Sequence, residues 1–251
     1  MRRVLTAGLI LGCLAALVAG APAGEARVET QVVGLLSTNS YLLYDSATRD
    51  AAIIDPGGPV DALLASISAH ALRLRYILIT HAHQDHVFGV PVVQAAHPRA
   101  ALAMSTVEFE DGPGIYAHWE TAFAAETAAR IRSSPLSLEL FNFDYARIGK
   151  PRVFLRDGQT LALGSLRITV ISTPGHSRGG VCLRVGDRLF SGDTLFQGSS
   201  GTTAIKGSSR ETLVASVRRL YALLPDRTVV LPAHRAQTDV GRERAAGTGL
   251  K

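Results

Sequence analysis

Residues 76–86 read YILITHAHQDH. An apolar, β-branched run of the kind that fills a buried strand ends at Thr80, and four metal-capable side chains follow at once: His81, His83, Asp85 and His86. A chain can fold around such a stretch only if the strand stops at a sheet edge and the turn beyond it is held by bonds. Desolvating four polar side chains without partners costs too much otherwise. Residues two apart in extended backbone point to the same side. His81 and His83 can therefore reach one ion together. The adjacent pair Asp85 and His86 can offer a carboxylate oxygen and an imidazole nitrogen to a second ion nearby.

The same pattern of strand, turn and ligand recurs. His176 lies in STPGHSRGG after LRITVIS, Asp193 in SGDTLF after RLF, and His234 in LPAH after TVV, each beside small residues. The recurrence collects all seven side chains on one edge of the sheets. Around them the chain reads as β-rich. RVETQVVG, SYLLYD and AAIIDPGG open it, and RVFL, QTLAL, LRITVIST, VCLRV and RLFSG return after residue 150. Helical spacing is predicted over residues 59–72, from VFGVPVVQAAH, over ETAFAAETAARIR and over RETLVASVRRLYALL. Several strands follow one another without helices, so the fold class is α/β as an αββα sandwich of two mixed sheets rather than a simple βαβ array.

Residues 105–150 break this rhythm. They mix Gly, Pro and aromatics without clear periodicity, and they are expected to form a cap over the metal edge that selects the substrate. Tyr116, His118 and Trp119 are candidates for an aromatic wall in that cap. His70 and His97 are expected at helix ends, away from any site.

The first residues are set apart from the fold. MRR, an apolar Leu/Ala run and APA make a basic start, an apolar core and a small-residue site, so residues 1–23 read as a secretory signal cleaved after Ala23. This leaves 24–251 as one domain and makes the expected location periplasmic or secreted, without stable membrane association after cleavage. The 251-residue chain carries 26 basic and 21 acidic residues, a net +5. Arg2 and Arg3 are the only charged residues within 1–23, so the remainder carries +3. Its basic residues are scattered, with no basic stripe interleaved with aromatics, so the expected partner is a small molecule and no nucleic acid. One cysteine remains, Cys182 in GGVCLRV, which reads as a small buried hydrophobe. Oligomeric state is left open.

HAHQDH, TPGHS, SGDTLF and PAH, in this order, resemble the metallo-β-lactamase-fold hydrolases, and NSYLLYD with AAIIDPG is similar to that family's first hairpin. The resemblance spans roughly residues 28–245. It implies one metal on His81, His83 and His176, a second on Asp85, His86 and His234, and Asp193 bridging them. It implies two Zn2+ ions, with Fe or Mn possible for the same donors. A hydroxide held between the ions would attack a carbonyl bond in a thioester, ester or lactone, with Asp85 orienting it. Asp55 is implied to accept a proton from a ligand imidazole and so fix its tautomer. SGDTLFQGSSG and the segment RETLVASVRRLYALLPDRTVVLPAHRAQTDVGRERAAG look like the glyoxalase II-like, or hydroxyacylglutathione hydrolase-like, branch.

Departures from that branch turn the expectation away from glutathione thioesters. SGTTA stands where Gly-Arg-Thr-Asp is usual, Pro-Ala-His234 replaces Pro-Gly-His, and no counterpart of the glutathione-holding helical domain follows His234. Two alternatives share the ligands: an iron-dependent persulfide (sulfur) dioxygenase, and a β-lactamase-like amide hydrolase. Asp193 argues against the second, because the β-lactamases with the HxHxDH pattern typically carry serine at that position.

Overall fold

Adjacent pairs of apolar residues recur along the strands, and the structure shows why. In the computed structural model, which describes residues 24–250, two six-stranded mixed sheets pack face to face between helices. The first sheet runs in spatial order β1 (Ala26–Val33), β2 (Thr38–Asp45), β3 (Asp50–Ile54), β4 (Arg73–Leu78), β5 (Ala101–Ser105) and β6 (Val153–Leu155). The second is built from β7 (Thr160–Leu163), β8 (Leu166–Ser172), β9 (Val181–Val185), β10 (Arg188–Gly192), β11 (Val229–Pro232) and the short β12 (Thr238–Asp239), again side by side in chain order.

Successive residues of a strand face opposite sides. Leu43, Ile54 and Leu78 enter the layer between the sheets, where Val170, Leu183, Phe190 and Leu231 meet them. Their neighbours Leu42, Ile53 and Ile77 turn the other way, beneath the helices of the first sheet. Cys182, Leu189 and Val230 do the same in the second sheet, under α8 (Arg210–Leu223), which is capped by Ser209 and presents Leu213, Val217 and Leu220. The central strands of both sheets are buried on both faces, which is the αββα sandwich expected from the sequence. Burial pushes the Cys182 thiol up to about 11, consistent with an inert hydrophobe.

β1 to β3 form an antiparallel meander, and β3 to β6 pair in parallel. Parallel pairs need crossovers. The crossovers carry α1 (Asp61–Ala69), then α2 (Gln84–Val87) and α3 (Val90–Ala96), then everything between β5 and β6. His70 and His97 cap the C-termini of α1 and α3, as expected.

The segment at 105–150, expected to form a cap, lies between two parallel strands. It is the β5–β6 crossover itself, and it is helical throughout: α4 (Thr106–Gly114), a 3-10 turn at Tyr116–His118, α5 (Trp119–Ala122), α6 (Ala125–Arg132), α7 (Pro135–Phe141) and a 3-10 turn at Tyr145–Ile148. Each helix spans nine residues or fewer, too short for a 3.6-residue repeat to stand out. The single helix expected over ETAFAAETAARIR breaks between Ala122 and Ala125. The proposed signal at 1–23 lies outside the described residues. Among those residues, no helix is long and apolar enough to cross a membrane.

Candidate metal centre

The seven sequence-chosen side chains converge at the C-terminal ends of β4, β8, β10 and β11. His81 and His83 follow β4, His83 stands at the N-cap of α2, and Asp85 and His86 occupy that helix's first turn. Three overlapping groups have donor atoms close enough to share an ion: His81, His83 and His176; His81, His86 and Asp193; Asp85, His86 and His234. In the first, His83 Nδ1 lies 3.0 Å from both His81 Nε2 and His176 Nε2. Nitrogens bound tetrahedrally to one zinc stand about 3.3 Å apart. In the last, Asp85 Oδ2 is 3.3 Å from His234 Nε2 and 3.5 Å from His86 Nε2.

Asp193 spans the two. Its Oδ2 lies 3.3 Å from His176 Nε2, while Oδ1 lies 3.5 Å from His86 Nε2 and 3.6 Å from His234 Nε2. One carboxylate oxygen therefore faces each triad. His86 Nε2 and Asp193 Oδ1 are buried and have no hydrogen-bond partner in the protein. Buried polar atoms left unpaired are costly, and a cation between these groups would satisfy both at once. The donor set, five imidazoles and two carboxylates, suits zinc, iron or manganese.

Electrostatics point the same way. Burial and the neighbouring imidazoles hold His81 and His83 well below the ordinary histidine range, so both keep a lone pair for a ligand. Burial disfavours charge on His86 as well, yet the carboxylates of Asp85, Asp193 and Asp55 outweigh it and push its pKa up to about 10. That pull on a proton is the pull a metal cation would feel.

Bonds from other elements aim the ligands. Asp55 sits beyond β3 in left-handed backbone (φ 48°). It accepts from Thr80 N–H at 2.8 Å and Thr80 O–H at 2.6 Å, and lies 3.1 Å from His86 Nδ1, which turns His86 Nε2 toward Asp85 and Asp193. This is the contact expected of Asp55. His176 Nδ1 meets the Thr202 carbonyl at 2.7 Å. Gly201 lets that loop close in, because a Cβ there would come 2.2 Å from the Asp193 carbonyl. Gly192 is required too: it has φ +50°, and a Cβ would press on Thr80. The His234 turn hangs from β2, where Asn39 Nδ2 donates to the carbonyls of Pro232 and Arg235, and Tyr41 O–H donates to Pro232.

Several contacts lay beyond the sequence reading. Thr38 O–H donates to Asp85 Oδ2 at 2.9 Å. The Ala82 peptide, between two ligands, is held on both sides by the β5–β6 crossover: its N–H donates to Glu108 at 2.7 Å and its carbonyl accepts from Tyr145 O–H at 2.7 Å. One signal for Glu108 was legible. Residues 105–108 read STVE, the capping-box pattern that starts a helix. The suggested aromatic wall is split. Tyr116 packs edge-on against His83 at 4.4 Å, Trp119 turns into a separate cluster with Ala128 and Ile131, and His118 is exposed.

A model of the metallo-beta-lactamase superfamily matches residues 33–234. The chain belongs to this superfamily. An uncharacterized protein of Mycobacterium leprae is 35% identical over 219 residues, covering 84% of this chain and 92% of its own. A probable polyketide biosynthesis zinc-dependent hydrolase, BaeB of Bacillus velezensis, is 28% identical, with 79% and 73% covered. A hydroxyacylglutathione hydrolase, GloC of Haemophilus influenzae, is 26% identical, with 89% and 98% covered.

Among solved structures, the B3 metallo-beta-lactamase BLEG-1 superposes with a TM-score of 0.69 at 30% identity over 87% of this chain and 97% of its own. TTHA1623 in a di-iron-bound form gives 0.66 at 27% over 87% and 98%. ETHE1 from Myxococcus xanthus gives 0.66 at 25% over 87% and 81%. Family and fold are those of metal-dependent hydrolases.

Proposed function

We propose that this protein is an exported dinuclear hydrolase that cleaves a carbonyl bond in a small thioester, ester or lactone. The observation that carries the reading is Asp193, with one carboxylate oxygen facing each of two complete triads. His81, His83 and His176 would hold one ion, Asp85, His86 and His234 the other, and Asp193 both. Two divalent ions supply Lewis acidity and water activation at neutral pH. Zinc is the proposed metal, supported by the name of the Bacillus velezensis relative; the di-iron neighbour keeps iron as the second candidate.

Asp85 orients the attacking water. Thr38, donating to Oδ2, and His234 beside the same oxygen keep the carboxylate in one rotamer for that role. Water adds to the carbonyl carbon, the bond to sulfur or oxygen breaks, and the proton leaves with the departing group. Asp55 and the Thr202 carbonyl hold the imidazoles in place throughout. The likeness to BLEG-1 favours one further substrate class, a cyclic amide, which the same arrangement could attack. Export rests on the MRR start, apolar run and APA of residues 1–23.

Elemental analysis of protein purified without chelator is expected to find close to two transition-metal ions per chain, and a value near zero in folded protein would sink the assignment. A panel of thioester, lactone, β-lactam and persulfide substrates then ranks the chemistries. Asp85→Ala should lower turnover on the best substrate by about 10²–10⁴-fold while the fold persists. Activity within a few-fold of the parent would remove Asp85 from the mechanism.

A further inference from the structure

Glu108 stands at the third position of α4, where a capping-box glutamate normally reaches back to its own helix N-terminus. Ser105 does its part, accepting from Glu108 N–H at 3.2 Å. Glu108 does not reciprocate. Its fully buried side chain leaves the helix: Oε2 accepts from Ala82 N–H at 2.7 Å and Oε1 accepts from Gly179 N–H at 2.7 Å. Ala82 separates His81 from His83, and Gly179 lies three residues beyond His176. One carboxylate thus joins the two loops that supply the first triad, loops whose ligand nitrogens meet at 3.0 Å.

The surroundings are shaped for this span. Ser105 O–H donates to the Gly179 carbonyl at 2.8 Å, so both polar groups of that peptide unit's residue are held by the start of α4. A Cβ on Gly179 would come 2.5 Å from Ser105 Oγ and 2.7 Å from Val107 Cβ, so only glycine allows the loop to approach the helix this closely. A fully buried carboxylate is expensive to keep, and it persists where charge-assisted bonds to backbone N–H groups repay it.

We infer that Glu108 is a positioning residue that sets the distance between the His81/His83 loop and the His176 loop, and so tunes the affinity of the first triad for its metal. The inference rests on the metal reading above. It assigns Glu108 no contact with substrate or with the reacting atoms. Glutamine in its place is nearly the same size, but its amide NH2 would face one of the two N–H donors. One loop would lose its anchor, and the first triad would loosen while Asp85, His86 and His234 stay as they are.

The test is stepwise zinc titration of metal-stripped protein against a chromophoric chelator, for the parent and Glu108→Gln. The tighter-held ion of each protein is assigned to a triad by repeating the titration with His176→Ala and His234→Ala. The expected result is a loss of about 10–100-fold in affinity at the first triad, the usual size for a partner one shell out, and a change within about threefold at the second. A folded Glu108→Gln protein that binds both ions as tightly as the parent overturns the inference, as does an equal loss at both triads. A folded parent that binds no zinc overturns the metal reading itself and this inference with it. Should Glu108→Gln fail to fold, amide exchange in the parent decides: the Ala82 and Gly179 N–H groups must be protected without metal, and rapid exchange at either overturns the clamp.

Discussion

The two sides of the β5–β6 crossover differ in what they hold. The inner side bonds to the ligand loops: Ser105 and Glu108 to Gly179, Glu108 and Tyr145 to Ala82, and the Tyr116 carbonyl to Gln84 Nε2 at 2.6 Å. The outer side folds on itself. Trp119, Ala128 and Ile131 form a cluster with Phe123, Leu138 and Phe141 packed against it, and Trp119 Nε1 donates to Asn142 Oδ1, within the same segment. A stretch with one origin in sequence therefore serves two purposes. Its inner side bonds to the loops that carry the candidate ligands, and its outer side builds a small apolar cluster of its own.

Removing residues 107–147 and bridging the gap with a short glycine linker is the most drastic way to break this contrast. Read as a separable cover, the segment could be shortened with metal content unchanged. Read as the crossover that pairs β5 with β6 and holds Ala82, its loss should cost cooperative unfolding and most of the bound metal. Circular dichroism and elemental analysis measure both. A folded, fully metallated deletion would restore the separable cap.

A substitution on the outer side should separate stability from the site. Trp119→Ala empties the centre of the outer cluster and is expected to cost about 3–5 kcal/mol in chemical denaturation, in the range for a buried tryptophan. Both zinc affinities should stay within about twofold of the parent. A large loss of affinity would mean that the two sides are mechanically coupled.

On the inner side a far smaller chemical change should reach the metal. Tyr145→Phe removes one oxygen and leaves the Ala82 carbonyl without its donor, at a cost of about 1–2 kcal/mol. Affinity at the first triad should fall several-fold, less than for Glu108→Gln because Ala82 keeps its N–H bond. Trp119→Ala with the larger stability loss and Tyr145→Phe with the larger affinity loss is the crossed result that the comparison requires.

Much of this architecture was legible beforehand. Doublets such as Leu42–Leu43, Ile53–Ile54 and Ile77–Leu78 imply strands buried on both faces, because a period of two sends each member to a different layer. The ligands were legible because each follows a strand and has a side chain with few other uses in a buried turn. Apart from the helix read over ETAFAAETAARIR, residues 106–150 were not, because helices of nine residues or fewer carry little periodic signal. Tyr116, His118 and Trp119 looked like one wall because they are close in sequence, yet the 3-10 turn that leads into α5 points them in three directions.

The sequence by itself determined which metal-capable side chains gather, on which edge, and in what kind of sandwich. It could do so because those facts depend on local pattern and on the donor chemistry of single residues. Only the tertiary structure decided how the ligands are held. Thr38 reaches Asp85 across 47 residues of sequence, Tyr145 reaches Ala82 across 63, and His176 meets the Thr202 carbonyl across 26. Each of these bonds joins ordinary polar groups that could have found water or a turn instead. What selects their partners is the packing of two sheets and their connections, which brings distant backbone to one edge.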